Sequence, residues 1–557
     1  MLLDFNNYSL ELSEKTFSVF IKGVRMFKFP VSSAVDKYEE PRSIPTGSSY
    51  IENGITEDED FKNFNFKTFQ DNGKTVAEYI TSSNLWDEKV YKIEADEKGF
   101  SYEITVKGEG TVNRIRYFKS KYEKTDYEAA GYLLPHAGQY KESECLRNVF
   151  ENSQIAFDYF APGPFVYPFY AEELDGWFGI GLFAEKGEHN FDRFVYEKGM
   201  NFVLPLDNRL KINGTKKLPG IWGGYGENAF GVLTAYSDWY FDSGISKRHS
   251  DYNLDPKWWR GPIFCGWGEE QKLGRENNSY AADFATQENY DKMINTLEQN
   301  GINPKIIIID AKWQKGMGNI EVDTKKWPDM RSFVDKMHGK GKKVLLWIKS
   351  WDCEGLPKNE CIDNLCNPVA ADPTNPEFIK NTKLKIHKLL SPENECYNCD
   401  GFKIDFMNCI PKGETLRPYD GKSYGIELIK KWLGLIYGSA KETKFDALIN
   451  ASCAHPYTAD VCDQIRIHDY QGALRSSVEV MTFRKKIAEA VYGNITIDTD
   501  SGGTESHRDF LRYIKAQPKI GVPDLYFVTS SLGTPMDKSD YELIKKTWDE
   551  YIKENNL

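Results

Sequence analysis

The sequence has no long apolar run. The longest conspicuous one is Ile306 to Ile309, far short of the roughly 20 residues a helix needs to cross a bilayer, so no membrane span is expected. It also lacks clustered Lys and Arg. With 71 basic against 83 acidic residues the formal net charge is −12, which works against a polyanionic partner and predicts no nucleic-acid binding. Low-complexity tracts are missing, and 40% hydrophobic with 28% charged residues is a balance that folds throughout. The first fifteen residues, MLLDFNNYSLELSEK, put acids and polar groups where a leader would need an apolar core. Together with ten cysteines, which suit a reducing compartment, this predicts a cytoplasmic protein unless a leader has been removed. A homo-oligomer is compatible with the sequence but not specified by it.

Aromatic residues, in contrast, are abundant at 14%. Rings of this kind fill large β cores, and they also stack on the apolar faces of sugars. At 557 residues the chain exceeds one ordinary core, so two domains are expected. Over residues 1–250 strand follows strand. Val90-Tyr-Lys-Ile-Glu-Ala, Phe100-Ser-Tyr-Glu-Ile-Thr-Val, Trp177-Phe-Gly-Ile-Gly-Leu-Phe and Asn201-Phe-Val-Leu-Pro-Leu read as strands of an antiparallel β-sandwich, with strong helical periodicity scarce. Near Asp255-Pro256 the rhythm changes to short apolar strands alternating with amphipathic helices.

Eight strands are predicted within residues 251–557: Ile263–Trp267, Lys305–Asp310, Lys343–Ile348, Gly401–Asp405, Phe445–Asn450, Gln464–Asp469, Asn494–Asp498 and Pro523–Val528. Helical segments such as Gln287–Gln299 and Ser332–Gly339 separate them, and such units close into a (β/α)8 barrel. Barrel sites form at the C-terminal strand ends, which here read Trp267, Asp310, Trp347, Asp405, Cys453, Asp469 and Asp498/Asp500.

Paired carboxyl groups at a barrel mouth suit glycoside hydrolysis, where a retaining enzyme sets them about 5–5.5 Å apart. Asp405 is the expected nucleophile. Period two turns Lys403 and Asp405 inward, and Lys403 is expected to keep Asp405 ionised. Asp469, closing Gln464-Ile-Arg-Ile-His-Asp469, is the expected acid/base, with Arg466 and His468 beside it and Asp463, Asp498 and Asp500 as rivals. No metal or cofactor is expected. Cys361 and Cys366 follow a strand, so they lie above the barrel, while Cys396 and Cys399 precede one and lie below it, which separates the two halves of a zinc-like set. Gly421-Lys-Ser423-Tyr-Gly425 matches a serine-hydrolase motif but lacks the strand that motif requires before its serine.

These motifs resemble the clan-D glycoside hydrolases, most closely the family-thirty-six α-galactosidase and α-N-acetylgalactosaminidase type. Ile309-Asp310-Ala-Lys-Trp313 is similar to that family's L-D-D-G-W segment. The stretch from His338 to Trp347-Ile and the strand Phe402-Lys403-Ile-Asp405 are similar to its later motifs. The resemblance implies a retaining exo-α-glycosidase that takes an oligosaccharide or glycoside, with Asp310 at the sugar's O4 side, Lys403 at O3/O4 and Trp347 against the ring. Trp267, Trp313, Cys453 and His468 complete the expected binding set. Alternatives are another α-glycosidase of the clan, a transglycosylase using the same covalent intermediate, and a non-catalytic carbohydrate-binding protein. Three departures stand out: Ala311 replaces the second Asp, which helps to hold O6; Lys349-Ser350 replaces Glu-Pro; and Ser452-Cys453-Ala-His455-Pro lacks the glycine-rich stretch. Lys312 and Lys349 are the candidate replacements at O6. The chain also ends soon after the eighth strand, so the family's C-terminal β domain is expected to be missing.

Overall fold

The computed structural model describes residues 1–39, 54–135, 141–157, 163–252, 254–452, 454–467 and 476–557. Asp469, His468 and Cys453 lie outside the described residues.

The N-terminal part is two antiparallel sheets, and the abundance of aromatics in the sequence explains how they hold together. The smaller sheet carries Leu2–Asp4, Ser9–Leu12, Thr16–Ile21, Val24–Pro30 and Asp126–Tyr127. The larger is built around two long paired strands, Gly99–Tyr117 and Asn201–Gly226. Their alternation turns Phe17, Phe27 and Phe29 of one sheet toward Phe100, Phe169, Phe178 and Phe202 of the other, with ring centroids 5.6 Å apart for Phe17–Phe100 and 5.7 Å for Phe27–Phe169. Edge and offset ring packings of this kind add to the burial of the rings themselves. Most of the aromatic excess in this half is therefore core.

One helix breaks the all-strand pattern, Ala229–Asp242. Its buried residues, Ala229, Val232, Leu233, Tyr236, Ser237 and Tyr240, follow helical spacing, and the Asn228 side chain caps it by accepting the Gly231 N–H. Apolar Phe230, Trp239 and Phe241 on its other faces blur that spacing in the sequence.

The C-terminal part is an eight-stranded parallel barrel in sequence order: Ile263–Cys265, Ile306–Ile309, Lys343–Lys349, Gly401–Asp405, Leu448–Ala451, Gln464–Arg466, Thr496–Asp498 and Asp524–Leu525. The eighth strand pairs with the first, Ile263 opposite Asp524. A single parallel bridge from Asp498 to Val522 joins the seventh strand to the chain entering the eighth and nearly closes the circle. Helices cover the outside. Several start where the sequence supplies a capping side chain, as at Thr286, Asp329, Asn375 and Ser506, and at Asp537 in a capping box with Asp540. Beyond the third strand a small sheet of Cys361–Asn364, Asn367–Ala371 and Leu416–Arg417 lies on the side of the strands' C-terminal ends. Among the described residues no helix is long and apolar enough to cross a membrane.

The two parts meet along residues 187–192 and the barrel helix Gly425–Thr443. Ile426 and Glu427 donate backbone N–H groups to Phe191 O and His189 O, and the Tyr424 hydroxyl donates to Asp192. Gly425 sits at φ +57°, a left-handed backbone that glycine adopts freely, and a Cβ there would overlap the Phe191 carbonyl. This contact accounts for the glycine that ends the serine-hydrolase-like motif. Ser423 itself is buried and donates to Asp420 as part of the turn that starts the helix.

Candidate active site

Asp405 is the last residue of the fourth strand, and the chain leaves it abruptly because Phe406 adopts φ +59°. That turn aims the Phe406 N–H at Asp405 Oδ1 (2.8 Å). Arg466, on the sixth strand, donates Nη2 to the same oxygen at 2.6 Å, and the Trp347 indole N–H donates to Oδ2 at 3.1 Å. Among the described residues, donors from three chain segments therefore hold one carboxylate, whose side chain stays 17% exposed. Arg466 also pairs through Nη1 with Asp500, so its fork bridges two carboxylates while being only 1% exposed.

Lys403 does not serve Asp405 in the way the period-two pattern suggests. Both side chains point inward, but two residues along a strand separate them by roughly 6.6 Å, and the Lys403 ammonium turns to a different neighbour. It donates to Asp310 Oδ2 (2.9 Å), to the Tyr526 hydroxyl (2.9 Å) and weakly to Cys265 Sγ (3.5 Å). Burial pushes its pKa down, but Asp310, Cys265 and Asp405 together outweigh that and hold the ammonium well above the usual lysine range. The direct ion pair to Asp405 comes from Arg466, while Lys403 acts on that carboxylate through space without a hydrogen bond.

Asp310 is 3% exposed at the end of the second strand. Besides Lys403 it accepts the Cys265 thiol (2.9 Å) and the Ala311 N–H (2.8 Å), and its own N–H donates to the Tyr290 hydroxyl (2.8 Å). Tyr290 donates in turn to Glu270 Oε1 (2.9 Å). Glu270 is fully buried and its Oε2 has no hydrogen-bond partner. Burial first, and then the nearby Asp310, push its carboxyl well above the ordinary range, which favours its neutral form. No motif marked Glu270, Tyr290 or Tyr526. The available signal was Glu270 on the inner face of the helix Trp267–Glu276.

Trp347 is 3% exposed, and its ring meets Phe406 edge-on at 6.2 Å. Trp313 is wholly buried and donates its indole N–H to the Trp347 carbonyl (2.8 Å), so it props the third strand from behind. Trp267 is half-buried at the start of the first barrel helix. Ala311 is 4% exposed. Lys312 pairs with Glu354, while Lys349 pairs with Asp352 (2.6 Å) and lies directly beside Asp405 in strand register.

Of the three rivals to Asp469, Asp463 precedes the sixth strand and therefore sits at the opposite end of the barrel from Asp405. There it accepts from Lys441 (2.8 Å) and from the Ile449 N–H (2.8 Å). Asp498 is buried inside the barrel, accepting from Asn450 (2.6 Å) and the Asp500 N–H (3.0 Å), and burial raises its pKa. Asp500 is committed to Arg466. Asp524, on the eighth strand, is fully buried beside Asp498. Burial, then the charges of Asp498 and Asp500, hold it well above the carboxylate range.

Residues 256–424, which include Asp310, Trp313, Trp347, Lys403 and Asp405, match the model described as the glycosyl hydrolases family 31 TIM-barrel domain. Over 165 residues the chain is 25% identical to α-xylosidase XylQ of Lactiplantibacillus pentosus, a stretch making up 26% of this chain and 21% of that protein. The chain thus spans about a fifth of that curated relative. The fold is similar to a family 31 sulfoquinovosidase from E. rectale (TM-score 0.63, 14% identity, 98% of this chain and 84% of that one). It is also similar to the α-galactosidase TtGalA of Thermus thermophilus (TM-score 0.53, 12% identity, 87% and 99%). The motifs compared above with the family-thirty-six type thus lie in a segment whose match is to the family 31 TIM-barrel domain.

Proposed function

We propose that this chain is a retaining exo-α-glycosidase with Asp405 as nucleophile and Asp469 as acid/base. The observation that carries the reading is the set of donors on Asp405. A carboxylate at a strand's C-terminal end, held by Arg466, Trp347 and the Phe406 N–H and still 17% exposed, is oriented, charged and reachable. In the proposed reaction one Asp405 oxygen attacks the anomeric carbon as Asp469 protonates the departing glycosidic oxygen. Water, deprotonated by Asp469, then displaces Asp405, and two inversions leave an α-product.

The sugar ring would lie against Trp347 with its O4 side toward Asp310 and Lys403. Ala311 offers C6 no polar group. A site that hydrogen-bonds a hydroxyl rejects the analogue lacking it by about 10⁴–10⁵-fold, because its own groups are left buried and unpaired. With alanine there, the proposed glycone is one whose C6 is read loosely. That class joins α-galactosyl-type rings to α-xylosyl ones, which have no C6, and the α-xylosidase relative supports the latter.

Asp405→Ala should abolish turnover on every substrate, and azide should restore part of it as a glycosyl azide of inverted configuration. An Asp405→Ala protein that keeps its activity removes the proposal. For the glycone, kcat/KM is compared for aryl α-glucoside against α-xyloside, and for α-galactoside against β-L-arabinopyranoside, each pair differing only in the CH2OH group. Ratios below roughly 10² support loose reading of C6, and ratios near 10⁴ refute it.

A further inference from the structure

The turn below the barrel, between the helix Pro376–Leu390 and the fourth strand, brings together side chains that the active site does not use. His387 lies in the last turn of that helix, and Glu393 and Cys396 lie in the turn. Their donor atoms are all within 4.8 Å of one another, with His387 Nε2 and Glu393 Oε2 3.4 Å apart. Among the described residues this is the one place where three such donors converge. We propose that His387, Glu393 and Cys396 form a site for a borderline-soft divalent transition-metal ion, zinc being the natural occupant.

The donor set fits the ion. Imidazole, thiolate and carboxylate are the three side-chain ligands of zinc, at about 2.0–2.3 Å, and zinc takes four ligands in a tetrahedron. Three come from the chain and the fourth from water. The thiolate and the carboxylate together cancel the charge of the dication. Binding releases the Cys396 thiol proton to solvent, so affinity rises with pH.

The main chain is fixed before any ion arrives. Arg331 Nη1 reaches the carbonyls of Pro392 (3.3 Å), Glu393 (3.0 Å) and Cys396 (2.9 Å). Ser391 donates its N–H to His387 O (2.9 Å), Cys396 to Glu393 O (3.2 Å) and Tyr397 to Lys388 O (2.9 Å). Only exposed side-chain torsions of His387 and Glu393 need to adjust, and a half-buried Cys396 supplies the anchor. Cysteines 361 and 366 take no part, because they lie in the small sheet and its turn on the other side of the barrel. The site precedes the strand that ends in Asp405. It therefore tethers the helix to that strand and stays remote from the chemistry.

The test titrates the chelator-stripped full chain with Co2+ and then Zn2+ alone. One Co2+ per chain should bind with a sulfur-to-metal charge-transfer band in the near ultraviolet and tetrahedral d–d bands in the visible, and Zn2+ should displace it. Cys396→Ser should remove the near-ultraviolet band, and His387→Ala and Glu393→Gln should each weaken binding at least about tenfold. Cys366→Ser and Cys409→Ser, at exposed thiols outside the set, should leave the spectrum intact. Activity should stay level in the His387, Glu393 and Cys396 variants. The proposal is overturned if no ion binds tighter than about 10 µM, or if the spectrum survives Cys396→Ser. The three ligand residues are surface or half-buried, so circular dichroism of each variant separates lost binding from lost fold.

Discussion

Replacing Lys403 by Met removes one half of a charge pair whose side chains are each only 4% exposed and 2.9 Å apart. The methylene stem is kept, so the loss is electrostatic rather than a cavity. Breaking a buried pair costs about 3–5 kcal/mol, because the remaining ion keeps its desolvation penalty and loses its partner. Asp310 still accepts from the Cys265 thiol and the Ala311 N–H, which places the expected loss near the lower end, about 3 kcal/mol. The Tyr526 hydroxyl loses a donor as well. Urea unfolding followed by tryptophan fluorescence measures the loss. Adding Asp310→Asn to Lys403→Met should recover stability, since it removes the stranded charge. If Asp310 and Lys403 also hold the glycone, kcat/KM of Lys403→Met falls about 10- to 100-fold, the worth of one charged hydrogen bond. A single variant within about 1 kcal/mol of the parent, or a double variant less stable than the single, would refute a buried, coupled pair.

Three further outcomes follow from the same geometry. Arg466→Lys keeps the charge but cannot span Asp405 and Asp500 at once, so kcat should drop about 10²-fold with the circular dichroism unchanged; equal activity would mean that the fork does not orient Asp405. Asp524 and Glu270 have carboxyl pKa values raised in the fold, so the folded protein holds protons that the unfolded chain gives up above its ordinary carboxylate range. Stability should therefore fall as pH rises from that range through the raised values. Asp524→Asn should flatten the fall in unfolding midpoints taken at pH 5, 7 and 9, and an unchanged slope would exclude Asp524 as its source. Gly425→Ala should cost about 2 kcal/mol or more in the same unfolding assay, through left-handed strain and overlap with the Phe191 carbonyl; a neutral result would mean that the seam between the two parts yields freely.

Much of the architecture was legible because it depends on local periodicity. The fourth strand has the predicted bounds, Gly401–Asp405, and the run Ile306–Ile309 lies fully buried within the second. The fifth strand starts at Leu448 rather than Phe445. That phenylalanine is 72% exposed in the preceding turn, a case where its apolar character misleads. The helix Ala229–Asp242 was hidden in the same way, by apolar residues on more than one face.

By itself the sequence determined which residues alternate inward, where helices are capped, and that Asp310, Trp347, Lys403 and Asp405 stand at or near strand ends. These follow from spacings of two and of 3.6 residues and from single capping side chains, which need no distant partner. Which inward groups touch was decided only when the barrel closed. Lys403 found Asp310 and Cys265, 93 and 138 residues away, rather than Asp405 two residues on, and Arg466 took up Asp405 from 61 residues away. Glu270 came to have its carboxyl pKa raised by burial behind Asp310, and Asp524 came to lie against the charges of Asp498 and Asp500, through burial that no local pattern encodes. Charge pairing and desolvation depend on distance in space, and the chain acquires those distances only when its first and eighth strands meet.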